Sequence, residues 1–304
     1  MSRPFRIGLA LGGGAARAFS HIGVIAGLEK HGIGIDFLTG TSMGAVIGAM
    51  YAARPEAAEL KKRLAAYLES DAFTESGFDF FKDLDIRGEG PIDHLAHLVR
   101  RGVFNTMMVT RSALVSHDIA ARNFAFLVDD LAVEETRLPF AAVALDLRSG
   151  EAVILDHGRL RRAVTASSAM PGILAPVEWD DKLLVDGGWT EPVPVSAARA
   201  LGADFVIAVD AGDRPAGFRP PKNALDVIAR ADTLVRNVLA TEQGRQADFL
   251  IRPRNGVAHW ADFSTAEQAI ARGEEEFDRR VGHLRRALSV TRWRRRLALN
   301  RRVS

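Results

Sequence analysis

The sequence contains no cysteine, few aromatic residues and no long apolar run, and each absence narrows what the protein can be. Without cysteine, a disulfide framework, a thiolate metal site and a cysteine nucleophile are excluded. Aromatic residues make up 7% of the 304 residues and hydrophobic residues 47%, which favours helices packed closely on a sheet. No apolar run approaches the ~18 residues that a membrane-spanning helix needs.

The N-terminus imitates a signal peptide only superficially. Arg3 and Arg6 precede an apolar stretch at residues 7–11. That stretch is short, it is broken by three glycines at its end, and the charged Arg17 comes soon after them. We therefore expect a cytoplasmic protein.

The formal net charge of +2 hides an uneven distribution. From Leu284 onward the chain carries eight arginines and no acid, whereas the rest carries 32 basic and 38 acidic residues. The acidic body argues against nucleic acid as a partner. The basic end, which includes Trp293 and Leu297, either lies peripherally on the anionic inner face of a membrane or is a solvated tail.

The apolar runs and turns predict an α/β fold in which one sheet is built from strand–helix–strand units. A strand at 6–11, a helix at 15–30 and a strand at 36–39 make the two strands parallel neighbours. Helices are predicted from Ser42 to about Ala53 and at 56–68. Later strands are predicted at 138–147, 151–155, 183–185, 203–209 and 248–251.

The remaining segments suggest how the chain is divided. Residues 1–255 are expected to form the main domain, with 71–136 as a helical insertion or lid over one sheet edge. Residues 256–304 are expected to form a C-terminal helix and an arginine-rich tail. Ser264 and Glu267 make a capping box that predicts a helix from there to about Leu288. Residues 213–222 contain three prolines and indicate a surface loop.

A G-x-S-x-G pentapeptide, Gly40-Thr41-Ser42-Met43-Gly44, lies between a predicted strand and a predicted helix. A serine on such a tight turn has strained backbone angles, and side chains in place of the flanking glycines would collide. The turn presents the hydroxyl at a helix N-terminus, where the peptide dipoles favour developing negative charge. Ser42 is therefore the candidate nucleophile.

A glycine-rich loop, Gly12-Gly13-Gly14-Ala15-Ala16-Arg17, follows the first strand and opens the first helix. Backbone N–H groups there have no intrahelical partner and can hold a phosphate or the oxyanion of an acyl-transfer intermediate. Both turns lie at the carboxyl ends of adjacent parallel strands, so they face each other across one sheet edge. A nucleophile and a set of oxyanion donors should meet there.

Nucleotide-binding interpretations of the loop fit less well. A dinucleotide fingerprint would need Gly or Ala where Arg17 stands and an acidic residue at the end of the second strand, whereas Asp36 stands at its start. A P-loop is excluded because no Gly-Lys-Ser/Thr follows. A plain tight turn with packing glycines is the remaining alternative.

The residues alone do not decide which side chain is the general base. Asp186-Gly187-Gly188 combines a strand-end carboxylate with glycines that allow close backbone approach, but it is equally an ordinary Asp-Gly turn. His157 follows Asp156 in a predicted loop, and Asp210 ends an apolar strand; both compete. His94, His97 and His117 lack an evident further ligand, so we expect no metal and no cofactor.

Together these motifs resemble those of the patatin-like phospholipases, especially bacterial proteins related to neuropathy target esterase. The resemblance also includes His21-Ile22-Gly23 and the stretch from Ala166 to Gly172, and it covers about residues 6–210. One residue departs from the family pattern: Ala18 stands where glycine is usual.

The resemblance implies a three-layer α/β fold with a central, mostly parallel sheet flanked by helices. It implies a serine acyl hydrolase of the phospholipase A or lysophospholipase type, acting on a lipid or acyl ester. The alternative is a regulatory or scaffold protein that uses the cleft only for binding. It implies that Ser42 is the nucleophile and Asp186 its catalytic partner, without a histidine. The oxyanion hole would be formed by Gly12, Gly13, Gly14 and Ala15, with Arg17 supporting the loop or contacting an anionic substrate. The remaining residues are the elbow glycines, Gly40 and Gly44, and the glycines of the Asp motif, Gly187 and Gly188.

Overall fold

Eight strands form one sheet in the computed structural model, which describes residues 3–76, 113–212, 218, 220–221, 223–254 and 260–300. The strands are β1 (Ile7–Leu11), β2 (Phe37–Thr41), β3 (Phe140–Asp146), β4 (Ala152–Leu155), β5 (Val177–Trp179), β6 (Lys182–Asp186), β7 (Phe205–Val209) and β8 (Phe249–Ile251). Their order is β5-β6-β3-β2-β1-β7-β8, with β4 also paired to β3. Five neighbouring strands, β3, β2, β1, β7 and β8, are parallel to one another, so the sheet is mostly parallel as expected.

Helices account for most of the remaining described chain. They are α1 (Ser20–Lys30), α2 (Met43–Ala53), α3 (Ala57–Leu68), α4 (Asp71–Thr74), α5 (His117–Leu127), α6 (Leu160–Ser167), α7 (Val195–Ala200), α8 (Ala224–Gln246) and α9 (Ala266–Asn300). Among the described residues, no helix combines the length and the apolar character needed to cross a membrane.

The central strands are buried on both faces. Every residue of β1, β2 and β7 is buried, which is why these strands have near-continuous apolar sequences. Successive side chains point to opposite faces. Leu9 and Ile207 pack in the core under α1, α2 and α9, whereas Ala10 and Val206 pack against α7 and α8. The fold therefore has the three expected layers.

Strand β6 enters the sheet in the direction opposite to the parallel strands. Along one edge of β3, Val143 pairs with Thr41 of β2, and the next residue, Ala144, pairs with Asp186 of β6. Since β6 is antiparallel to β3, its last residue arrives beside the carboxyl end of β2. This register brings Asp186 to the turn that carries Ser42.

Several local predictions need correction. The predicted helix at 15–30 begins as a 3-10 turn, Ala15–Phe19, before α1. The Ser264 hydroxyl donates to Asp262 and caps no helix, so α9 begins at Ala266 and extends well beyond Leu288. Strand β5 and helices α6, α7 and α8 were not predicted. Of the predicted insertion at 71–136, residues 77–112 lie outside the described part.

Candidate active site

Ser42 occupies a strained turn between β2 and α2. Its φ is 55° and ψ is −127°, a left-handed conformation that a non-glycine residue rarely adopts. Its flanking glycines are required by close contacts: a Cβ on Gly40 would lie 2.5 Å from the Ala45 Cα, and one on Gly44 would lie 2.2 Å from the Leu11 carbonyl oxygen. The elbow predicted from the pentapeptide is present.

Ser167 holds this turn in place, a role that the sequence did not indicate. The Ser42 N–H donates to the Ser167 carbonyl oxygen at 3.1 Å and to its Oγ at 3.0 Å. The Ser167 hydroxyl donates in turn to the Val143 carbonyl oxygen at 2.6 Å. The backbone of Ser42 is thereby tied to β3, the strand that also pairs with β6.

Asp186 is a buried carboxylate facing Ser42. Burial raises the pKa of Asp186 to about 6, although a hydrogen bond with the Ser42 side chain, one from the Gly188 N–H and the charge of Arg236 oppose this rise. The Gly188 N–H lies 2.7 Å from Oδ1. A Cβ on Gly187 would lie 2.3 Å from the Val143 carbonyl oxygen, so glycine is required there.

The glycine loop lies against Ser42, but fewer of its N–H groups are available than the sequence suggested. The Gly12 N–H donates to the Val209 carbonyl and the Gly13 N–H to the Pro192 carbonyl, both at 2.9 Å. These two residues therefore shape the loop and do not supply oxyanion donors. The N–H groups of Gly14 and Ala15 bond no residue that the structure describes.

His21 supports the loop from below, and sequence reasoning gave it no role. Its Nε2 lies 2.7 Å from the Gly12 carbonyl oxygen. Burial lowers the pKa of His21 to about 4, so the ring is neutral near pH 7 and Nε2–H is the donor in this contact. Arg17 lines the cleft beside Ser42, and its backbone N–H donates to the Gly14 carbonyl oxygen at 3.2 Å.

The two competing bases are placed differently. Asp210 lines the same cleft, but its Oδ2 pairs with Arg252 at 3.1 Å and its Oδ1 accepts the Gly212 N–H at 3.0 Å. His157 is exposed, pairs with Asp156 at 2.9 Å and follows β4, which ends at the opposite edge of the sheet. Of the three acids and bases considered, Asp186 is the one that meets Ser42.

Two cavities of different character meet at Ser42. A polar cleft of about 310 Å³ holds Asp186 and is closed on one side by α8, which contributes Asp232 and Arg236. A smaller cavity of about 90 Å³ is mainly apolar; its lining includes Phe19, Val46, Leu127, Leu174 and Phe263. A depression of about 910 Å³ near Arg161 and Arg162 contains none of the site residues.

Metal ligands do not converge in the described part of the chain, where no group of three or more acidic or histidine residues could hold an ion. His94 and His97, which share a predicted helix face, lie outside the described residues.

Comparison with known sequences identifies the family. A model of the patatin-like phospholipases matches residues 9–199, which is more than half of the chain and includes all three motifs. This chain belongs to the patatin-like phospholipase family. The patatin-like fold expected from the sequence is thus confirmed. The family is one of lipid ester hydrolases.

The patatin-like chain also matches curated relatives. It is 30% identical over 242 residues to an uncharacterised NTE family protein of Mycobacterium tuberculosis, covering 78% of this chain and 56% of that protein. It is 33% identical over 210 residues to human patatin-like phospholipase domain-containing protein 6, covering 68% of this chain and 13% of that protein. It is 28% identical over 224 residues to lysophospholipase NTE1 of Meyerozyma guilliermondii, covering 73% of this chain and 14% of that protein. The chain thus spans about half of the first relative and a small part of the other two.

Proposed function

We propose that this protein hydrolyses carboxylic ester bonds of lipids, as a phospholipase A or lysophospholipase, with Ser42 and Asp186 as its catalytic dyad. The observation that carries the proposal is the pairing of a strained serine at the sheet edge with a buried carboxylate whose pKa is raised. The family membership supports the ester chemistry. The names of the relatives, one of which is a lysophospholipase, support a lipid substrate.

The reaction proceeds in two halves. Asp186 takes the proton of the Ser42 hydroxyl while Oγ attacks the ester carbonyl carbon, and the N–H groups of Gly14 and Ala15 hold the oxyanion. Asp186 then returns the proton to the leaving alcohol as the carbon–oxygen bond breaks. In the second half a water molecule gives a proton to Asp186 and attacks the acyl-Ser42 ester. The bond between the acyl carbon and Oγ then breaks, Asp186 returns the proton to Oγ, and the carboxylic acid is released.

The two cavities suggest how the substrate is oriented. The apolar cavity suits the acyl chain, because it would bury methylene groups against side chains such as Val46 and Leu174. The polar cleft suits the alcohol or headgroup, which would lie near Arg17 and Arg236. Ser42 lies at the junction, where the ester carbonyl must be placed.

The arginine-rich end of α9 supports a further part of the proposal, attraction to anionic membranes. Arg292, Arg294 and Arg296 are exposed, and each basic residue near an anionic surface contributes about 1 kcal/mol. Arg295 contacts Asp204 at 2.8 Å, just before β7, so this end lies at the amino edge of the sheet. It attracts the protein to a membrane without presenting lipid to Ser42 at the other edge.

Labelling by a fluorophosphonate probe tests the dyad. We expect the wild type to label, Ser42→Ala not to label, and Asp186→Asn to label at least ~100-fold more slowly, because general bases contribute factors of that order. Ser168→Ala is the matched control, since this half-buried serine, whose hydroxyl oxygen is buried, lines the apolar cavity beside Ser42 and its substitution should leave labelling unchanged.

The outcomes separate the hypotheses. Labelling that persists in Ser42→Ala but disappears in Ser168→Ala would assign the nucleophile to the neighbouring serine. A folded wild type that neither labels nor hydrolyses lysophosphatidylcholine would instead favour the regulatory or scaffold protein, in which the cleft serves only for binding.

A further inference from the structure

Helix α8 carries its apolar side chains on the solvent side. Five of them are between 43% and 66% exposed, and together we call them the α8 stripe: Val227, Ile228, Leu234, Val235 and Val238. Their spacing places them on one face of the helix, and the only other residue of that face between 227 and 238 is Ala231. The stripe is therefore a continuous uncharged surface.

The opposite face of α8 is polar and lines the catalytic cleft. Asp232, Thr233, Arg236 and Asn237 all border the cavity that contains Ser42. Asp232 accepts a hydrogen bond from the Trp189 indole at 2.7 Å, and the Arg236 guanidinium lies 4.7 Å from the same ring. A surface helix ordinarily turns its apolar face to the core, and α8 has the reverse arrangement.

The stripe lies at the edge of the sheet where Ser42 is found. Helix α8 ends near the amino edge, where the Gln246 carbonyl contacts Arg199. Its 23 residues extend about 34 Å, twice the ~17 Å of a five-residue strand, so its first half projects beyond the carboxyl edge. Phe218, which precedes α8 in the chain, is also exposed.

We propose that the α8 stripe is the surface by which this protein docks onto a lipid aggregate, so that the carboxyl edge of the sheet, where Ser42 lies, is held next to the lipid. The inference rests on the proposed function, because a lipid esterase must draw its substrate from a membrane or micelle. A large exposed apolar patch marks an interaction site, and a helix face without charge can enter the boundary between headgroups and acyl chains.

The size of the stripe favours lipid over a second protein. Its exposed surface sums to roughly 500 Å², less than the ~800 Å² that each partner of a standard protein interface buries. The stripe also offers no charge with which a protein partner could be selected, whereas a lipid surface needs none. A second copy of this chain is the competing occupant that the experiment must exclude.

The α8 stripe and the arginine-rich end of α9 would contact a membrane in different orientations. Helix α8 packs on one face of the sheet and α9 on the other, and the arginines lie at the amino edge. One flat membrane cannot contact both at once. The proposed docking is thus independent of anionic lipid and should persist on neutral vesicles at physiological salt.

Vesicle co-sedimentation tests the inference. The Ser42→Ala protein, which leaves the lipid intact, is mixed with unilamellar phosphatidylcholine vesicles, with and without Val235→Asp. The matched control is Val290→Asp, the same substitution at an exposed valine on α9. We expect Val235→Asp to weaken vesicle binding about tenfold or more, because it replaces a lipid-buried side chain with a charge, and Val290→Asp to have no effect.

Activity and mass measurements complete the test. In the otherwise wild-type protein, Val235→Asp should reduce hydrolysis of vesicle lipid and leave hydrolysis of a water-soluble short-chain ester unchanged. Docking without any esterase activity would contradict the proposed function but support the stripe. Equal vesicle binding by both valine variants, or no binding at all, would overturn the inference. So would a dimer in sedimentation equilibrium that Val235→Asp converts to a monomer.

Discussion

The proposed role of Asp186 as a base depends on where its carboxylate is buried. A carboxylate in water has a pKa too low to accept a serine proton efficiently near neutrality, and burial raises the pKa of this one to about 6. The adjacent charge of Arg236 limits the rise, since a nearby cation favours the charged form of the acid. Removal from water therefore raises the pKa of Asp186, and the hydrogen bonds with Ser42 and Gly188 together with the charge of Arg236 limit the rise.

This balance predicts the pH dependence of the enzyme. Asp186 must be deprotonated to act as base, so kcat/KM for a soluble ester should rise about tenfold per pH unit below ~6 and level off above it. Arg236→Met should move this inflection to higher pH, whereas Arg236→Lys, which keeps the charge, should move it less. The measurement is a pH profile between pH 4.5 and 8.5.

Glu191 supplies the control for that profile. It is another buried carboxyl, and burial raises its pKa to about 7, but it does not line the catalytic cleft. Glu191→Gln should leave the inflection in place. If Glu191→Gln abolishes the inflection and Arg236→Met leaves it unmoved, the ionisation belongs to Glu191 and not to the dyad.

The local sequence predicts Ser42 better than it predicts the residues that support it. The pentapeptide around Ser42 carries its own steric reason, so the elbow could be predicted from five residues. The loop pattern predicts Gly12 and Gly13 as oxyanion donors because their N–H groups precede a helix. Their actual acceptors, Val209 and Pro192, lie nearly 200 residues away, and no local pattern shows them. The contact between Ser167 and Ser42, which are 125 residues apart, is hidden in the same way.

Two glycines set the packing of α9 on α1. A Cβ on Gly273 of α9 would lie 2.0 Å from the Ser20 carbonyl oxygen, and one on Gly23 of α1 would lie 2.0 Å from that of Ile270. The two backbones are therefore in direct contact, and no side chain fits between them. This contact joins the C-terminal helix to the helix that follows the glycine loop.

Alanine substitutions should show this closeness. Gly273→Ala should lower the free energy of unfolding by about 1–3 kcal/mol, because the methyl group forces the two helices apart. Gly282→Ala, on the same helix but with nothing within 4 Å, should raise it by about 0.5–1 kcal/mol. Urea unfolding of both variants measures the difference; a stabilised Gly273→Ala would contradict the close crossing.

Element prediction succeeded where burial and sequence agree. The strands β1, β2 and β7 are apolar because both faces are covered, and their positions were predicted to within two residues. Helices α6 and α7, with eight and six residues, are too short to show a period. The direction of β6 depends on its pairing with β3 and not on its own residues.

The C-terminal helix packs into the same hydrophobic core as the central sheet. Phe277 and Leu284 of α9 are fully buried in the cluster that includes Leu9 and Ile22. Division of the chain after residue 255 therefore separates segments that share one hydrophobic core. The arginine-rich end beyond Ser289 is a different matter, since most of its described side chains are exposed.

Two truncations separate these parts of α9. A chain ending at residue 255 should lose cooperative unfolding, because the core around Leu9 and Ile22 would be left open to water. A chain ending at Ser289 keeps Leu284 and Leu288 and should retain cooperative unfolding and hydrolysis of a soluble ester. It should also lose most of the salt-sensitive part of its binding to anionic vesicles while keeping its binding to neutral ones, since it lacks six of the eight arginines but keeps the α8 stripe. Circular dichroism melts and co-sedimentation at two salt concentrations measure both, and a cooperative 1–255 chain would show that α9 is a separate unit.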